Sequence, residues 1–158
     1  MSNYITSNFS NLIFSCSVPS QWHMEHRVPD HCVVFVRQGK LLISDKGRTE
    51  EIPAGSCVFL KKDCSVRLVK ASFAGKNYEG LNIRLPQNIL EDYFQRHLKN
   101  NEFPQDFTGL SNCFMRLNRT LCLQGLLSSI ILFVEEGQDP GQEMTELKVE
   151  AVSYTHLR

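Results

Sequence analysis

The chain has 158 residues, of which 42% are hydrophobic and 22% charged, with 17 Lys plus Arg balanced by 17 Asp plus Glu. That length supports one domain with a real core, and the zero net charge argues against a chain that binds nucleic acid through an overall basic surface, leaving only local patches, and gives no reason to expect an anionic membrane partner. The N-terminus, MSNYITSNFSNLIF, lacks the features of a signal peptide, and the longest apolar stretch, Leu126 to Val134, is broken by Ser128 and Ser129 and falls far short of the roughly 20 residues of a membrane span, so a soluble, cytoplasmic protein is expected.

In chain order, residues 11–16 (NLIFSC) read as a strand, and the segment from Val18 to Asp30 edges into the sheet. Cys32–Arg37 is a run of β-formers, and Gln38-Gly39 turns it into Leu41–Ser44. Asp45-Lys46-Gly47 is a second turn, followed by the short charged strand Thr49–Ile52, suited to a solvent-facing edge. After Pro53-Ala54-Gly55 come strands Val58–Leu60 and Val66–Val69. Tyr78–Leu85 then alternates Leu81, Ile83 and Leu85 with Asn82 and Arg84, the pattern of a half-buried strand.

After Pro86 the period changes. Leu90, Tyr93, Phe94, His97 and Leu98 recur at helical spacing, with Pro86 placed to start a helix. A second helix is expected from about Arg119 to Glu136, stopped by Gly137 and Asp139-Pro140-Gly141, and a third begins at Glu143. The expected fold class is α+β: a cupin-like double-stranded β-helix, or jelly-roll barrel, followed by an antiparallel helical pair. Residues 1–85 form the barrel, 86–152 the helical region, and 153–158 a tail.

The six cysteines, Cys16, Cys32, Cys57, Cys64, Cys113 and Cys122, show no C-x-x-C spacing. They read as buried free thiols rather than as a zinc or redox motif.

A cupin metal site needs two histidines and a glutamate before one glycine, and a further histidine after a Pro-x-Gly turn, so that imidazoles and a carboxylate converge on one ion. With Gly39 as the first glycine, the glutamate position holds Cys32, and only His26 falls near the histidine pair. With Gly55 as the second, the histidine position holds Val66; with Pro53-Ala54-Gly55 as the turn, it holds Val58. No metal and no cofactor are therefore expected. His23, His26 and His31 do not share one strand face and read as surface or loop histidines. Asp45, Glu50 and Glu51 read as a solvated charge cluster, and Trp22 as a plug at one end of the sandwich rather than a pocket wall. No nucleophile elbow or phosphate loop is present, and no catalytic residue is expected.

The second helix is apolar around most of its circumference. Two readings are open: burial on both sides within one domain, or one face on the barrel and the other on a partner chain; the second is preferred. Gln124 and Ser128-Ser129 would set register or allow close approach. The dimerisation candidates are Leu123, Leu126, Leu127, Ile130, Ile131 and Val134. Phe35, Leu42, Val58 and Leu60 are expected to face inward, either lining a ligand pocket or filling the barrel completely.

Three segments carry a resemblance: HCVVFVRQGKLLISDKGRTEEIPAGSCVFLKKDCSVRLVK, YEGLNIRLPQNILEDYFQ and ELKVEAV. Together they resemble the N-terminal regulatory domain of AraC/XylS-family bacterial transcription regulators, in the subgroup similar to the type III secretion activator ExsA, over about residues 8–152. The resemblance implies a barrel that senses a small molecule or a regulatory protein, and a homodimer formed through the helices. It also implies two helix-turn-helix units in a C-terminal domain that bind DNA in the major groove. That domain is missing from this sequence, so the partners implied are an effector and a second copy, with DNA reached only through the missing part. SYTHLR departs from what the family continues with and reads as an artefactual or truncated tail. The alternatives are a metal-free cupin-fold small-molecule binding protein and a cupin enzyme.

Overall fold

The computed structural model describes residues 5–19, 21–27, 29–88, 113–117 and 121–156. Ten strands are described: β1 (Ile5–Phe9), β2 (Ile13–Val18), β3 (Trp22–Arg27), β4 (His31–Gln38), β5 (Lys40–Asp45), β6 (Arg48–Pro53), β7 (Cys57–Leu60), β8 (Ser65–Ala71), β9 (Tyr78–Leu85) and β10 (Phe114–Arg116). Helices α1 (Leu121–Glu136) and α2 (Gln142–His156) follow. The expected strands all appear: Tyr78–Leu85 with its expected bounds, the strand expected at 11–16 displaced to Ile13–Val18, and the others extended by a residue or more; β1 is an addition, and the Val18–Asp30 segment holds a complete strand, β3. Pro86 precedes a helical turn at Gln87 and Asn88, and the remainder of the first expected helix lies outside the described residues.

The strands form two antiparallel sheets, a six-stranded one in the order β1-β2-β9-β4-β7-β10 and a four-stranded one in the order β3-β8-β5-β6. From β4 to β9 the chain passes repeatedly between them, the jelly-roll logic of a cupin-like sandwich. The first crossing is made at Gly39 alone. Its φ is +77°, and a Cβ there would stand 2.6 Å from the Ala71 carbonyl oxygen and 2.7 Å from Tyr78 Cα, so only glycine fits. β5 returns as β6 through Lys46-Gly47, both at positive φ (50° and 81°), the two-residue turn that matches strand twist. The charged strand β6 is the edge of the four-stranded sheet, as its composition predicts; Glu50 pairs with Arg48 at 3.0 Å and Glu51 with Lys40 at 3.2 Å.

The six-stranded sheet is covered on both faces. Val34, Val36, Val58, Leu60 and Tyr78 point toward the four-stranded sheet and meet Leu41, Ile43, Ile52, Val66 and Leu68. On the other face, Val33, Cys57, Phe59, Leu81, Ile83 and Leu85 meet Leu123, Leu127, Ile130, Val149 and Val152 of the helices. The unbroken apolar runs CVVFV and CVFL follow from this, since both alternating faces lie in a core. β9 is a central strand between β2 and β4; Leu81, Ile83 and Leu85 are buried and alternate with the partly exposed Asn82 and Arg84 as expected, while Tyr78 and Gly80 at its start are buried as well.

α1 ends as predicted. Gly137 has φ +64°, its N–H donates to the Val134 carbonyl at 3.1 Å, and the Gln138 N–H donates to the Phe133 carbonyl at 3.1 Å, the paired bonds of a glycine helix stop. The short connection then returns the chain as α2, antiparallel to α1. α2 runs through His156, so residues 153–156 of the expected tail are helical.

Two expectations are corrected here. Cys64 and Cys113 form a disulfide, with Cα atoms 5.5 Å apart across 49 residues of sequence, while Cys16, Cys32 and Cys57 are free; the Cys122 side chain lies outside the described residues. His31 is half-buried rather than a surface residue, stacked on Phe59 at 5.6 Å between ring centroids.

Candidate functional site

Among the described residues, two regions hold the candidate side chains: the core between the sheets, and the seam between the six-stranded sheet and α1.

Of the residues expected to face the barrel interior, Val58 and Leu60 do, both fully buried. Phe35 and Leu42 do not. Phe35 shares its face with Val33 and packs against the helix-side core. Leu42 lies between Leu41 and Ile43, which both point inward, and so projects from the outer face of the four-stranded sheet opposite Val69. The reason is registry: within a run apolar at every position, the choice of face is set by the neighbouring sheet and not by composition.

The interior also holds polar chemistry that the sequence reading missed. The Tyr78 hydroxyl is buried with no hydrogen-bond partner among the described residues. Burial pushes its pKa up, and the nearby Cys16 thiol adds to this. The Lys70 ammonium sits 5.6 Å from the Tyr78 ring centroid and donates to Cys16 Sγ at 3.4 Å. Trp22 packs half-buried against the same cluster. A tyrosine opening a strand carries no signal of this in a single sequence, because the hydroxyl's isolation depends on residues from β2 and β8.

Metal-ligand positions are filled by other chemistry. Val66 is buried in the apolar interior, and burial pushes the Cys32 thiol up to about 12, keeping it protonated. Among the described residues, no group of three His, Cys, Asp or Glu side chains converges. His23 is exposed on β3, and the His26 side chain lies outside the described residues. His31 Nδ1 accepts the Lys62 backbone N–H at 3.0 Å; burial first, then the Lys62 charge, lowers its pKa.

The second region holds a cleft of about 90 Å³ lined by Phe35, Gly55, Cys57, Leu117, Leu123, Gln124, Leu127, Ser128 and Ile131. It lies where α1 crosses β4 and β7. Leu123, Leu127 and Ile130 of α1 are buried against the sheet; Leu126, Ile131 and Val134 are half-buried at the margins of that contact. The six dimerisation candidates therefore divide into three seated inside this chain and three at its border. Leu121 and Leu132, which were not among them, are the most exposed large apolar residues of α1, at 87% and 58%.

The polar interruptions have definite partners. Ser128 Oγ donates to the Gln124 carbonyl at 2.9 Å and Ser129 Oγ to the Leu126 carbonyl at 2.7 Å. Lys148 Nζ donates to Ser129 Oγ at 2.9 Å, fixing the register of α2 on α1. At the end of α1, Glu135 accepts from Arg37 Nη2 of β4 at 2.8 Å. The helix pair is thus fastened to the strand that runs through the centre of the sheet.

Comparison with solved structures finds the same fold in ToxT from Vibrio cholerae. The apo form of a ToxT point variant from strain SCE256 aligns with TM-score 0.64 at 13% identity, over 94% of this chain and 56% of that one. A 1.65 Å structure of ToxT aligns with TM-score 0.58 at 16% identity, over 90% and 52%. Wild-type ToxT bound to an unsaturated fatty acid aligns with TM-score 0.59 at 14% identity, over 92% and 53%. The chain spans about half the length of these proteins. Comparison with curated protein sequences gives no match. No described helix is long and apolar enough to cross a membrane. The family model of the ExsA N-terminal regulatory domain matches residues 31–152, most of the chain, and with the cupin-like sandwich and its helix pair this establishes that the chain belongs to that family of AraC-like regulatory domains.

Proposed function

We propose that this chain is the effector-sensing and dimerisation region of an AraC-type transcription regulator, acting on promoters through a DNA-binding domain elsewhere in the full-length protein. The observation that carries this is the shared core of the six-stranded sheet and the helix pair. Leu123, Leu127, Ile130, Val149 and Val152 interlock with strand residues, so a shift in the barrel displaces α1 and α2 together. Leu132 and the half-buried Leu126, Ile131 and Val134 supply an apolar border for a second copy. No catalytic role is assigned.

For the effector, the described residues favour a regulatory protein at the surface. The cleft beside α1, at about 90 Å³, is well below the ~300–1,000 Å³ of drug-sized ligand sites, and the described interior is packed with side chains. A second reading is favoured by one observation: the Tyr78 hydroxyl is buried without a partner among the described residues, with the Lys70 ammonium 5.6 Å from its ring centroid, groups that suit a carboxylate with an apolar tail, and ToxT is described with an unsaturated fatty acid bound.

Sedimentation equilibrium of the chain at tens of micromolar tests the dimer; a monomer throughout that range refutes it. Thermal unfolding with and without oleate separates the two effector readings. A saturable rise in Tm that is lost in Lys70→Met and Tyr78→Phe supports the fatty acid, and no shift supports the protein partner.

A further inference from the structure

We propose that Cys64 and Cys113 form a reversible thiol–disulfide exchange site, taking small-molecule disulfides and thiols of the glutathione class as co-substrates, and that its state sets how firmly β10 is held at the foot of α1.

The pair joins two kinds of segment. Cys64 lies in the turn between β7 and β8, where the chain leaves the six-stranded sheet for the four-stranded one; Cys113 immediately precedes β10. The two segments also meet through the Lys61 N–H, which donates to the Cys113 carbonyl at 2.8 Å. β10 has three residues and, among the described residues, is the outermost strand of its sheet and pairs with β7 alone. Phe114 is buried in the core between the sheets, the Leu117 N–H just after the strand donates to the Cys57 carbonyl at 3.0 Å, the Arg48 guanidinium lies 4.7 Å from the Phe114 ring centroid, and Arg116 Nη2 donates to Ser56 Oγ at 3.0 Å. Three residues of ladder and one buried ring are a small anchor, so a covalent tie beside them changes how often this edge opens. The disulfide is its covalent tie, and Leu117, directly after β10, lines the cleft against α1.

The bond sits at the edge of the core between the sheets, where Cys113 and Phe114 are buried and Cys64 packs against them; the helix-side core contains none of these residues, so breaking the bond acts first on this edge. Cys64 is half-buried in a surface turn, which leaves it open to exchange. The free Cys32 does not compete, since burial holds its thiol protonated.

The chemistry balances in two exchanges. The Cys64 thiolate attacks a small disulfide, forming a mixed disulfide and expelling one small thiolate. The Cys113 thiolate then attacks the Cys64 sulfur, forming the internal bond and expelling the second. The protein gives up two protons and two electrons, and the small disulfide becomes two thiols; reduction is the reverse.

The test equilibrates the 158-residue chain with mixtures of reduced and oxidised glutathione, traps thiols by alkylation, and maps them by mass spectrometry alongside amide exchange. The expected result is interconversion of the Cys64–Cys113 link within those mixtures. Exchange at Phe114–Arg116 should be about tenfold or more faster in the reduced form, with β4 and β9 unchanged. Cys64→Ser should show the fast exchange under both conditions. A bond that stays closed at every ratio, one that never forms, or β10 exchange that ignores redox state would each overturn the proposal. The wild-type measurement stands even if the variant fails to fold.

Discussion

The ring of Tyr78 lies over Gly80, in the space a side chain there would occupy: a Cβ at position 80 would stand 2.8 Å from Tyr78 Cζ and 2.9 Å from Cε1. Both residues are on the inner face of β9, and the glycine admits a ring too large for a central strand with ordinary neighbours. Gly80→Ala should therefore destabilise the fold by about 1–3 kcal/mol through overpacking. The penalty should largely vanish in a Tyr78→Ala background, a coupling of about 1 kcal/mol or more in a double-mutant cycle read by urea denaturation.

The same tyrosine carries an unpaired buried hydroxyl. Tyr78→Phe removes the oxygen and keeps the ring, so in the absence of ligand it should be neutral or stabilising by about 1 kcal/mol. A loss of more than about 1 kcal/mol in the urea midpoint analysis would mean that the hydroxyl is hydrogen-bonded in solution.

Gly39 and Gly47 separate two costs that often come together. Both have positive φ, but a Cβ at Gly39 meets backbone at 2.6 Å while one at Gly47 meets nothing within 4 Å. Gly47→Ala should cost about 1 kcal/mol from backbone conformation alone. Gly39→Ala adds a clash with atoms that cannot swing away and should cost about 2–4 kcal/mol. Equal effects in denaturant titrations would contradict this assignment.

His31 makes stability depend on pH. Its folded pKa is below its ordinary 6.5, because burial and the Lys62 charge disfavour the imidazolium. The unfolded chain thus binds the proton more readily. The contribution is fully present above pH 6.5, declines as pH falls from there toward the folded-state value, and then levels off. His31→Phe should remove this slope. At about pH 7.5 it should cost about 1 kcal/mol, because the Lys62 N–H loses its acceptor. Urea midpoints across about pH 5–8 give the comparison.

On α1, position decides what a substitution does. Ile130 is buried between sheet and helices, and Ile130→Ala should cost about 2–5 kcal/mol. Leu132 is 58% exposed, so Leu132→Asp should change monomer stability by no more than about 0.5 kcal/mol. If α1 also meets a second copy, the same change should shift the sedimentation profile toward monomer; an unaltered profile would remove Leu132 from the interface.

Much of this protein is written locally. The strand runs, the turns at Asp45-Lys46-Gly47 and Pro53-Ala54-Gly55, the charged edge β6 and the helix stop at Gly137 follow from residue type and short-range spacing, because positive φ, β-branching and capping act within a few residues of chain. The resemblance carried by those segments led to the family to which the chain belongs.

What the sequence left open was decided by contacts distant along the chain. In CVVFV every position is apolar, so alternation vanishes, and only the helices on one side and the second sheet on the other send Phe35 outward and Val34 inward. Leu42 reads as inward from its equally apolar neighbours, yet Leu41 and Ile43 take that face and leave Leu42 opposite Val69 on the other. Cys64 and Cys113 are 49 residues apart, and their pairing depends on β10 docking beside β7, which no spacing rule encodes. The stripe on α1 was legible as a stripe. That Leu123, Leu127 and Ile130 face this chain's own sheet was settled by the tertiary fold, because burial belongs to the surface that arrives and not to the residue that waits for it.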